Sequence, residues 1–474
     1  MSKLDQSLKT TIDTVFAEQQ CYSLQLRTSS CEQRLAVLEN FERVFKASFD
    51  KLYKAAFEDF SKPEAEVNTG EILSVLSELK HVQKCLKRWM KPTPVRATAA
   101  MFGTKSKILY EPKGVTLIIS PWNYPFNLSF SPMIWSIAAG NTVILKPSEM
   151  TPAMSAVIQD IVEQAFDAKQ VCVFQGDAEV ASYLTAQPFN HIYFTGSPVI
   201  GKQVMAAAAK NLASVTLELG GKSPVIVDQT ADLKKAAKSI CFGKFVNNGQ
   251  TCIAPDYVYV HSSVKDELIY AMIKAIEKLY GESSNIVNNP DYCRVVNHNH
   301  YLRVKSLLDN ALEQGACVLT GGESNDQQRF IAPTLLSDIN PNSDIMHQEI
   351  FGPILPLMEF KDLDKVIREI NSNPKPLALY LYSSDNNTVN RVIQQTSAGD
   401  SVINATVIHA VHQNLPFGGV NNSGIGKSGG VWGFQAFSHQ RSLVKDKLGL
   451  SALLSPPYTP GVKRLIKSAL KFLS

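Results

Sequence analysis

Short apolar runs alternate with stretches of helical periodicity from Gly114 onward. Four of these runs lie in the first half of the chain, at residues 115–119, 142–145, 171–174 and 191–194. Runs this short, bounded by turn residues, are typical of strands that are buried on both faces. Strands that alternate with helices form a sheet that is mostly parallel. The sequence therefore predicts an α/β fold.

The rest of the chain extends this pattern in both directions. Residues 4 to 90 show helical periodicity, and an amphipathic helix is predicted there by apolar residues at spacings of three and four, namely Leu38, Phe41, Phe45 and Phe49. Beyond residue 221 the alternation resumes, with strand-like runs at residues 225–227, 257–260, 317–319, 377–382 and 401–403. With 474 residues and 45% hydrophobic content, the chain can bury a large core in about two to four domains.

Composition and charge exclude several classes of protein. The formal net charge is only +4 and no basic patch is interleaved with aromatic residues, so we expect no nucleic-acid partner. The N-terminus has no apolar signal core and no run of about 18 apolar residues occurs, which predicts a soluble, cytoplasmic protein. Eight scattered cysteines indicate a reducing compartment. The histidine clusters at residues 297–300 and 409–412 lack companions at ligand spacing, so we expect no metal site.

One cysteine, one glutamate and one asparagine stand in unusual surroundings. Cys252 ends the run Asn-Asn-Gly-Gln-Thr-Cys, and Glu218 precedes Leu-Gly-Gly-Lys. A thiol is the best side-chain nucleophile at neutral pH, and a carboxylate can activate the water that later releases the captured group. Asn123, restricted by prolines on both sides in Pro-Trp-Asn-Tyr-Pro, can offer an amide N–H to an oxyanion. Together the three residues predict covalent catalysis.

Each of these residues also has a purely structural interpretation. A free cysteine is more often a small buried hydrophobe, a glutamate is usually solvated, and an asparagine between prolines usually marks a turn. Their contexts favour catalysis, because Gly249 permits close backbone approach and the glycine pair after Glu218 lets the chain pass near a ligand. A structural interpretation does not require all three residues.

A glycine-rich turn suggests an alternative function. Gly196-Ser-Pro-Val-Ile-Gly201-Lys202 follows a predicted strand and precedes a helix-like stretch at residues 202–210, where a helix N-terminus can face a phosphate. The spacing matches a phosphate-binding P-loop up to its last position, where Gln203 replaces the Ser or Thr whose hydroxyl binds Mg²⁺. An NTPase is therefore disfavoured, and it would leave Cys252 and Glu218 unexplained.

The ordered motifs of this chain resemble those of the aldehyde dehydrogenase superfamily over roughly residues 30 to 445. The resemblance rests on Pro121-Trp-Asn-Tyr-Pro125, Leu145-Lys-Pro-Ser-Glu149, Phe194-Thr-Gly-Ser-Pro-Val-Ile-Gly201, Leu217-Glu-Leu-Gly-Gly-Lys222, Gly249-Gln-Thr-Cys252, Glu349-Ile-Phe-Gly-Pro353 and Pro416-Phe-Gly-Gly419. The runs Cys252-Ile-Ala-Pro-Asp-Tyr257 and Leu415-Pro-Phe-Gly-Gly-Val420 are most similar to the class 3 branch, which includes fatty and aromatic aldehyde dehydrogenases.

The resemblance implies a domain organisation. A Rossmann-like NAD-binding domain would comprise residues 1–93 and 113–220, and an α/β catalytic domain residues 221–418. Residues 94–112 and 419–445 would form a small β flap that pairs with a partner subunit, which makes a homodimer the expectation. The alternation in Lys105-Ser-Lys-Ile-Leu-Tyr is compatible with an exposed strand, whereas Asn421 and the glycine-rich run at 429–433 depart from the class 3 pattern.

The resemblance also implies a mechanism. Cys252 would attack an aldehyde, the Asn123 side chain and the Cys252 backbone N–H would hold the oxyanion, and Glu218 would activate the water that hydrolyses the thioester. Such a base distinguishes this reaction from those of the acyl-CoA-forming dehydrogenases and the acyl-phosphate reductases in the same fold. A non-catalytic scaffold of this fold would be expected to have a degraded triad. The expected substrate is a medium- or long-chain aliphatic or aromatic aldehyde, oxidised to the carboxylic acid.

The cofactor residues follow from the same motifs. Lys146 and Glu149 would hold the adenosine ribose, and because Glu149 repels a 2′-phosphate that Lys146 attracts, NAD is favoured and NADP is tolerated. The phosphate-binding turn would comprise Gly196, Ser197 and Gly201, although Pro198 removes one N–H from it. Glu349 and Phe351 would contact the nicotinamide ribose, and Trp122 would form part of the cofactor wall. Taken singly, these residues would be a surface carboxylate and core aromatics.

The C-terminal tail, residues 446–474, contains an amphipathic pattern. Apolar residues fall on one helical face, namely Val462, Leu465, Ile466, Ala469, Leu470 and Leu473, and basic residues fall mostly on the other, namely Lys463, Arg464, Lys467 and Lys471. One interpretation is a terminal helix that docks on its own dimer. The other is an interfacial helix that makes peripheral contact with an anionic membrane or covers a hydrophobic substrate funnel, as a gate helix does in the fatty aldehyde relatives.

Overall fold

The computed structural model describes residues 5–98, 101–449 and 455–473. In chain order the helices are α1 (Gln6–Leu26), α2 (Cys31–Ala47), α3 (Phe49–Phe60), α4 (Glu64–Val67), α5 (Leu73–Trp89), α6 (Pro125–Ala139), α7 (Pro152–Ala165), α8 (Ala178–Ala186), α9 (Pro198–Ala209), α10 (Leu233–Phe245), α11 (Lys265–Tyr280), α12 (His298–Glu313), α13 (Asp344–His347), α14 (Leu363–Ser372), α15 (Asn386–Gln395), α16 (Gly430–Ala436) and α17 (Pro460–Leu473). A π-helix, Asn68–Ile72, separates α4 from α5.

The strands follow the predicted alternation closely. In chain order they are β1 (Thr93–Val95), β2 (Thr104–Pro112), β3 (Val115–Ile119), β4 (Thr142–Lys146), β5 (Val171–Val173), β6 (His191–Gly196), β7 (Ser214–Leu219), β8 (Pro224–Val227), β9 (Tyr257–His261), β10 (Cys317–Thr320), β11 (Ser324–Asn325), β12 (Phe330–Ile331), β13 (Thr334–Ser337), β14 (Ile354–Phe360), β15 (Ala378–Tyr382), β16 (Asp400–Ile403), β17 (Gly424–Ile425) and β18 (Ser438–Asp446). The predicted α/β class is confirmed.

The N-terminal helices pack their apolar faces on the first half of the chain. Ser30 begins α2 with a capping box, in which its side chain accepts from the Gln33 N–H and the Gln33 side chain accepts from the Ser30 N–H. Leu38, Phe41 and Phe45 are fully buried on one face of α2, as predicted. Phe49 instead begins α3, because Ser48 interrupts the helix with φ −104° and ψ 2°.

Six strands form the first sheet, in the order β17-β7-β6-β3-β4-β5. β3 to β7 are parallel, and only the short β17 pairs antiparallel, to β7. The strands at the centre of this sheet are continuous apolar runs because helices cover both faces. Their carboxyl ends therefore meet at one edge, where ligands bind in open α/β sheets.

Seven strands form the second sheet, in the order β10-β13-β14-β9-β8-β15-β16, and all pairs but β10·β13 are parallel. The connection from β7 to β8 is only four residues long, 220–223, and it passes directly from the first sheet to the second. The loop that carries Cys252 enters this sheet at β9.

A separate antiparallel sheet has the order β1-β2-β18. β2 pairs with β18 along its whole length, from Thr104 opposite Asp446 to Pro112 opposite Ser438. Within the segment 419–445, β17 instead joins the first sheet, and α16 packs on α6, where a Cβ at Gly433 would lie 2.3 Å from the Trp135 ring. Only the last part of this segment therefore pairs with residues 104–112.

The tail forms the predicted helix, α17. Leu465 and Leu470 on its apolar face are 50% and 62% exposed. Leu473 ends the helix, but its side chain lies outside the described residues. Over the ranges that the structure describes, no helix combines the length and apolar character needed to cross a membrane.

Candidate active site

The loop before Cys252 has an unusual backbone. Asn247 and Asn248 have φ values of 53° and 57°, and Gly249 has a φ of 72°, so three successive residues are left-handed. A Cβ at Gly249 would lie 2.3 Å from the backbone oxygen of Gly352. Gly249 is therefore needed both for its conformation and for the close approach of two loops, as the sequence suggested. The buried Asn247 side chain donates to the backbone oxygens of Asn123 and Gln250, both at 3.0 Å.

Cys252 lies in a turn in which both neighbouring residues, Thr251 and Ile253, form hydrogen bonds through their backbone oxygens. The Ala254 N–H donates to the Thr251 oxygen at 2.9 Å, and the Tyr380 hydroxyl donates to the Ile253 oxygen at 2.6 Å. Burial raises the pKa of the Cys252 thiol to about 12, the charges of Glu349 and Glu218 add to this, and the N–H groups of Cys252 and Ile253 oppose it. The thiol is therefore protonated at neutral pH, and it needs a proton acceptor to become a nucleophile.

Asn123 lies against the cysteine loop, as the catalytic interpretation requires. Its side chain is buried, and Nδ2 donates one hydrogen to the Gln250 oxygen at 2.9 Å. An amide carries two N–H donors, so one remains for an oxyanion. The Asn123 backbone oxygen accepts from the buried Lys62 ammonium at 3.3 Å. Lys62 in turn lies 3.1 Å from Glu71, whose carboxylate also accepts from the Asn127 N–H.

Glu218 is the last but one residue of β7, between Thr195 of β6 and Gly424 of β17. Its Oε1 accepts from the Ser428 hydroxyl at 2.9 Å, whereas its buried Oε2 has no partner among the described residues. Burial raises the pKa of Glu218 to about 8, which the Ser428 hydrogen bond and the charge of Lys427 partly oppose. A carboxyl in this state can accept a proton near neutral pH.

Glu349 and Phe351 stand on the loop that Gly249 touches. A Cβ at Gly220 would lie 2.2 Å from Glu349 Oε2, so the glycine pair after Glu218 makes room for this carboxylate. Burial raises the pKa of Glu349 to about 8. Phe351 has a φ of 46°, and its ring meets the Trp122 ring edge-on at a centroid distance of 5.3 Å.

Helix α12 supports this loop through residues that the sequence did not indicate. Arg303 donates to the backbone oxygens of Glu349 at 3.2 Å and Ile350 at 2.8 Å, and the His300 ring lies 4.9 Å from the Trp122 ring. Arg303 lies in no recognised motif, and the histidine cluster at residues 297–300 was considered only as a metal site, so spacing along the chain could not have placed either residue here.

The residues expected to bind the dinucleotide lie at the carboxyl edge of the first sheet. Lys146 ends β4, and its ammonium lies 2.7 Å from Glu149 Oε2. Gly196 ends β6, and Ser197 caps α9 by accepting from the Ile200 N–H at 3.4 Å. A Cβ at Gly201 would lie 2.7 Å from Leu219, so this glycine lets α9 pack closely on β7.

The bounds expected for the helix after this turn were wrong. Helix α9 begins at Pro198, four residues before the predicted stretch 202–210. Pro198 occupies the first helical position, where its fixed φ favours the helix. It still offers no N–H to a ligand at this helix N-terminus, so the loss of one phosphate contact stays a prediction.

The residues at this edge suit a dinucleotide. Glu149 offers a partly exposed carboxylate to ribose hydroxyls, and the first turn of α9 has N–H donors and no acidic residue. Val199 and Ile200 expose apolar surface beside it, at 67% and 44%. Nowhere in the described part of the chain do three His, Cys, Asp or Glu side chains gather as metal ligands would.

The structure thus brings the predicted residues into two neighbouring groups. Cys252, Asn123 and Glu218 lie where the two sheets meet, with Trp122, Glu349 and Phe351 beside them. Lys146, Glu149, Gly196, Ser197 and Gly201 lie along the edge of the first sheet. Ser428 and Lys62, which contact Glu218 and Asn123, were not predicted.

Comparison with known proteins gives a consistent result. The sequence matches the model of the aldehyde dehydrogenase family over residues 2–443. It is 43% identical over 461 residues to the 4,4'-diaponeurosporen-aldehyde dehydrogenase of Staphylococcus aureus (strain NCTC 8325 / PS 47), covering 97% of this chain and 99% of that protein. It is 40% identical over 427 residues to the dimeric NADP-preferring aldehyde dehydrogenase of Rattus norvegicus, covering 90% and 93%. The solved substrate-bound state of Staphylococcus aureus AldH matches with a TM-score of 0.93 at 43% identity, covering 97% of this chain and 99% of that one.

A buried thiol, a buried carboxylate and a sheet edge that suits a dinucleotide are consistent with an oxidoreductase. The chain belongs to the aldehyde dehydrogenase family. It is an NAD(P)-dependent aldehyde dehydrogenase, so the predicted fold, the oxidation of an aldehyde and the use of NAD(P) are confirmed. Relatives named as family 3 members confirm the class 3 branch. Neither the P-loop nor the scaffold alternative is retained.

Proposed function

We propose that the enzyme oxidises long apolar aldehydes and releases the free carboxylic acid, with Cys252 as nucleophile and Glu218 as the base for hydrolysis. The observation that carries this proposal is the unpartnered, buried Oε2 of Glu218, close enough to Cys252 for the charge of Glu218 to raise the thiol pKa. An oxygen without a hydrogen-bond partner among the described residues is free to take a proton from water.

The first step joins the substrate to the protein. The Cys252 thiol gives its proton to a water molecule, and its sulfur forms a bond to the aldehyde carbon while the carbonyl electron pair moves to oxygen. The second N–H of the Asn123 side chain and the Cys252 backbone N–H hold that oxyanion. When bound, NAD(P) supplies the acceptor for the substrate hydride, which leaves a thioester on Cys252.

The second step frees the acid. Glu218 Oε2 accepts a proton from water as the water oxygen bonds to the thioester carbon, and the carbon–sulfur bond then breaks to return the cysteine. Because burial raises the pKa of Glu218 to about 8, the ionised fraction that can act as a base grows as pH rises through about 8. Hydrolysis should therefore accelerate over that range.

The cofactor is assigned to the edge of the first sheet. Glu149 and Lys146 would hold the adenosine ribose, and Gly196, Ser197 and Gly201 the diphosphate. Nearer Cys252, the nicotinamide ribose and ring would meet Glu349, Phe351 and Trp122. On this assignment residues 1–93 and 113–220 form the NAD-binding domain, and residues 221–418 the catalytic domain. The support is the chemistry of the edge, a carboxylate for ribose hydroxyls and a helix N-terminus for phosphate.

Aromatic residues around the cysteine loop support the proposed substrate class. The buried Tyr380 bonds to the turn that carries Cys252, Tyr124 bonds to Thr251 at 2.9 Å, and Phe417 packs with Cys252 against the same core. Aromatic surroundings favour an apolar chain. The Staphylococcus aureus relative named for a diaponeurosporen aldehyde points the same way. The test is to measure kcat/KM for aldehydes from two to sixteen carbons and for aromatic aldehydes. A preference for the shortest aldehydes would contradict the proposed substrate class.

Two substitutions test the roles of thiol and carboxylate. Cys252→Ala should abolish NADH formation, whereas Cys241→Ala, which changes a buried thiol away from the site, should retain it. Glu218→Gln should release a burst of about one NADH per site and then stall, with the acyl group found on the Cys252 peptide by mass spectrometry. Its steady-state kcat should fall on the order of 10²–10⁴-fold. Full turnover by Glu218→Gln would remove Glu218 from the mechanism.

The assembly is proposed to be a cytoplasmic homodimer. The antiparallel sheet of β1, β2 and β18 supports this, because most of β18 is exposed in the single chain and an unpaired strand edge can pair with another copy. Light scattering of the purified protein measures the mass directly. A monomeric mass at micromolar concentration would exclude the dimer.

The tail is proposed to bind anionic membrane surfaces peripherally. Leu465 and Leu470 are exposed on one face of α17, and Lys463, Arg464 and Lys467 provide charge complementary to anionic lipid. Deletion of residues 460–474 should abolish sedimentation with phosphatidylglycerol vesicles and leave short-aldehyde activity intact, and phosphatidylcholine vesicles should not bind either protein. If the deletion changes only the dimer mass, the helix packs on the dimer instead.

A further inference from the structure

We infer that Ser428 is a positioning residue for Glu218: it fixes one oxygen of the general base without supplying a charge, so that the other oxygen stays free to take a proton from water. This inference rests on the proposed function of Glu218 as the hydrolytic base. Nothing in the motifs that relate this chain to its family indicated Ser428.

Ser428 is itself held rigidly. It is 3% exposed, and its backbone exchanges two hydrogen bonds with Phe417, at 3.0 and 2.7 Å. Its hydroxyl lies 2.9 Å from Glu218 Oε1 and 3.3 Å from the Phe417 oxygen, and it also bonds to the Tyr193 hydroxyl. A donor fixed on the backbone in this way selects one orientation of the carboxylate, whose Oε2 is left without a partner among the described residues.

The chemical character of the donor matters as much as its position. A cation at this place would hold the carboxylate in its charged form and weaken it as a base. The nearest cation is Lys427, one residue before Ser428, but its ammonium bonds to the backbone oxygen of Gly418. The hydroxyl of Ser428 therefore supplies the direct contact, and Glu218 remains a base of suitable strength.

The groups that face Glu218 set the expected direction of the pH effect. Lys427 and the Ser428 hydroxyl favour its charged form, whereas burial and the charge of Asp400 oppose it. Tyr193 and Cys252 also lie within electrostatic reach, and both stay neutral at pH 7 because burial raises their pKa values. Loss of the Ser428 hydroxyl removes one of the two favourable contributions, so the carboxyl should lose its proton at higher pH.

The test compares Ser428→Ala with two matched variants. Ser428→Thr keeps the hydroxyl. Ser423→Ala removes a hydroxyl that is equally buried in the same segment but bonds only to Val420. Stopped-flow measurement of the NADH burst reports formation of the thioester. Steady-state kcat from pH 6 to 10 and the intact mass of the protein report its hydrolysis. The midpoint of thermal unfolding checks that each variant is folded.

Ser428→Ala should keep a burst of about one NADH per site, accumulate the acyl-enzyme and lose about 10 to 100-fold in kcat, with the midpoint of its pH profile moved upward. Ser428→Thr should recover to within about fivefold of wild type, and Ser423→Ala should match wild type. If Ser428→Ala has the kcat and pH midpoint of Ser423→Ala, or if it loses the burst, the inference is overturned. Failure of the proposed function is a separate result, seen as full turnover in Glu218→Gln.

Discussion

The Glu149 carboxylate and the Lys146 ammonium lie 2.7 Å apart at the carboxyl end of β4, yet only one of them faces solvent. The Glu149 side chain is 43% exposed, and that of Lys146 is 4% exposed. A ligand that approaches this edge therefore meets the carboxylate first, while the positive charge of Lys146 is already balanced. This arrangement suits two ribose hydroxyls better than a 2′-phosphate.

The first prediction concerns cofactor choice. The wild-type enzyme should have a higher kcat/KM with NAD than with NADP, and Glu149→Gln should narrow the difference because it removes the repulsion and keeps the side-chain size. Glu163→Gln, an exposed carboxylate on α7, is the matched control and should leave the ratio unchanged. A wild-type preference for NADP of roughly tenfold, about 1.4 kcal/mol, would show that Lys146 dominates.

The second prediction concerns stability and pH. The pKa of Glu218 is raised on folding from 4.5 to about 8, so its contribution to stability is greatest below pH 4.5 and is lost as pH rises to about 8. Glu218→Gln stays neutral throughout, so its free energy of unfolding should exceed that of wild type by an amount that grows between pH 4.5 and 8. The difference should level off at about 5 kcal/mol above pH 8. Urea unfolding at pH 5, 7 and 9 measures it, and a constant difference at the three pH values would contradict the prediction.

The third prediction concerns the loop before the nucleophile. Gly249→Ala should lower the free energy of unfolding by more than about 3 kcal/mol, because the new Cβ would lie 2.3 Å from the Gly352 oxygen. The variant should also lose most of its activity. Gly315→Ala is the matched control: Gly315 has a similarly positive φ of 97°, but a Cβ there meets nothing within 4 Å. Gly315→Ala should lower the free energy of unfolding by only about 1 kcal/mol, from backbone strain alone. Equal losses in thermal unfolding would mean that the contact with Gly352 is unimportant.

The fourth prediction concerns the buried ion pair beneath Asn123. Lys62→Met should destabilise the protein by about 3–5 kcal/mol, because it leaves Glu71 charged and buried without its partner. It should also lower kcat, since Lys62 holds the backbone of Asn123. Lys51→Met is the control: it breaks an exposed ion pair with Asp160 and should lower the free energy of unfolding by less than about 1 kcal/mol.

A double-mutant cycle checks the cause of this loss. Lys62→Met combined with Glu71→Leu should recover much of the stability but not the kcat, because no charge is left unpaired while the Asn123 contact stays absent. Recovery of both would show that the pair has no role in positioning Asn123.

Local sequence patterns predicted most of the fold, because strands that are buried on both faces consist of short runs of apolar residues. The strand β3 was predicted at its observed bounds, and β4 and β6 extend only one and two residues further. Helix α9 was placed too late because residues 196–201 were interpreted as a turn, although proline is favoured at the first helical position and α9 begins at Pro198. Phe49 was assigned to α2 because periodicity cannot detect that Ser48 changes the chain direction.

The core of the site was predictable from motifs, but its support was not. Asn123 was expected near Cys252, and its side chain does bond to the Gln250 oxygen in the loop before that cysteine. Ser428, in contrast, is 210 residues from Glu218, and serine between lysine and glycine has no signature of its own. Lys62 was missed because a lone lysine is almost always solvated, and only the fold provides the buried Glu71 that pairs with it.

The four-residue connection between β7 and β8 ties the base and the nucleophile together through the backbone. Glu218 lies two residues before this connection, at the end of the first sheet, and the second sheet begins directly after it. A second tie is formed by hydrogen bonds, because the Asn123 side chain donates to the Gln250 oxygen and the Asn247 side chain donates to the Asn123 oxygen. The cysteine loop is therefore joined to the first half of the chain by side-chain amides as well as by the backbone. A substitution at Asn123 should thus loosen the placement of the thiol in addition to removing a donor for the oxyanion.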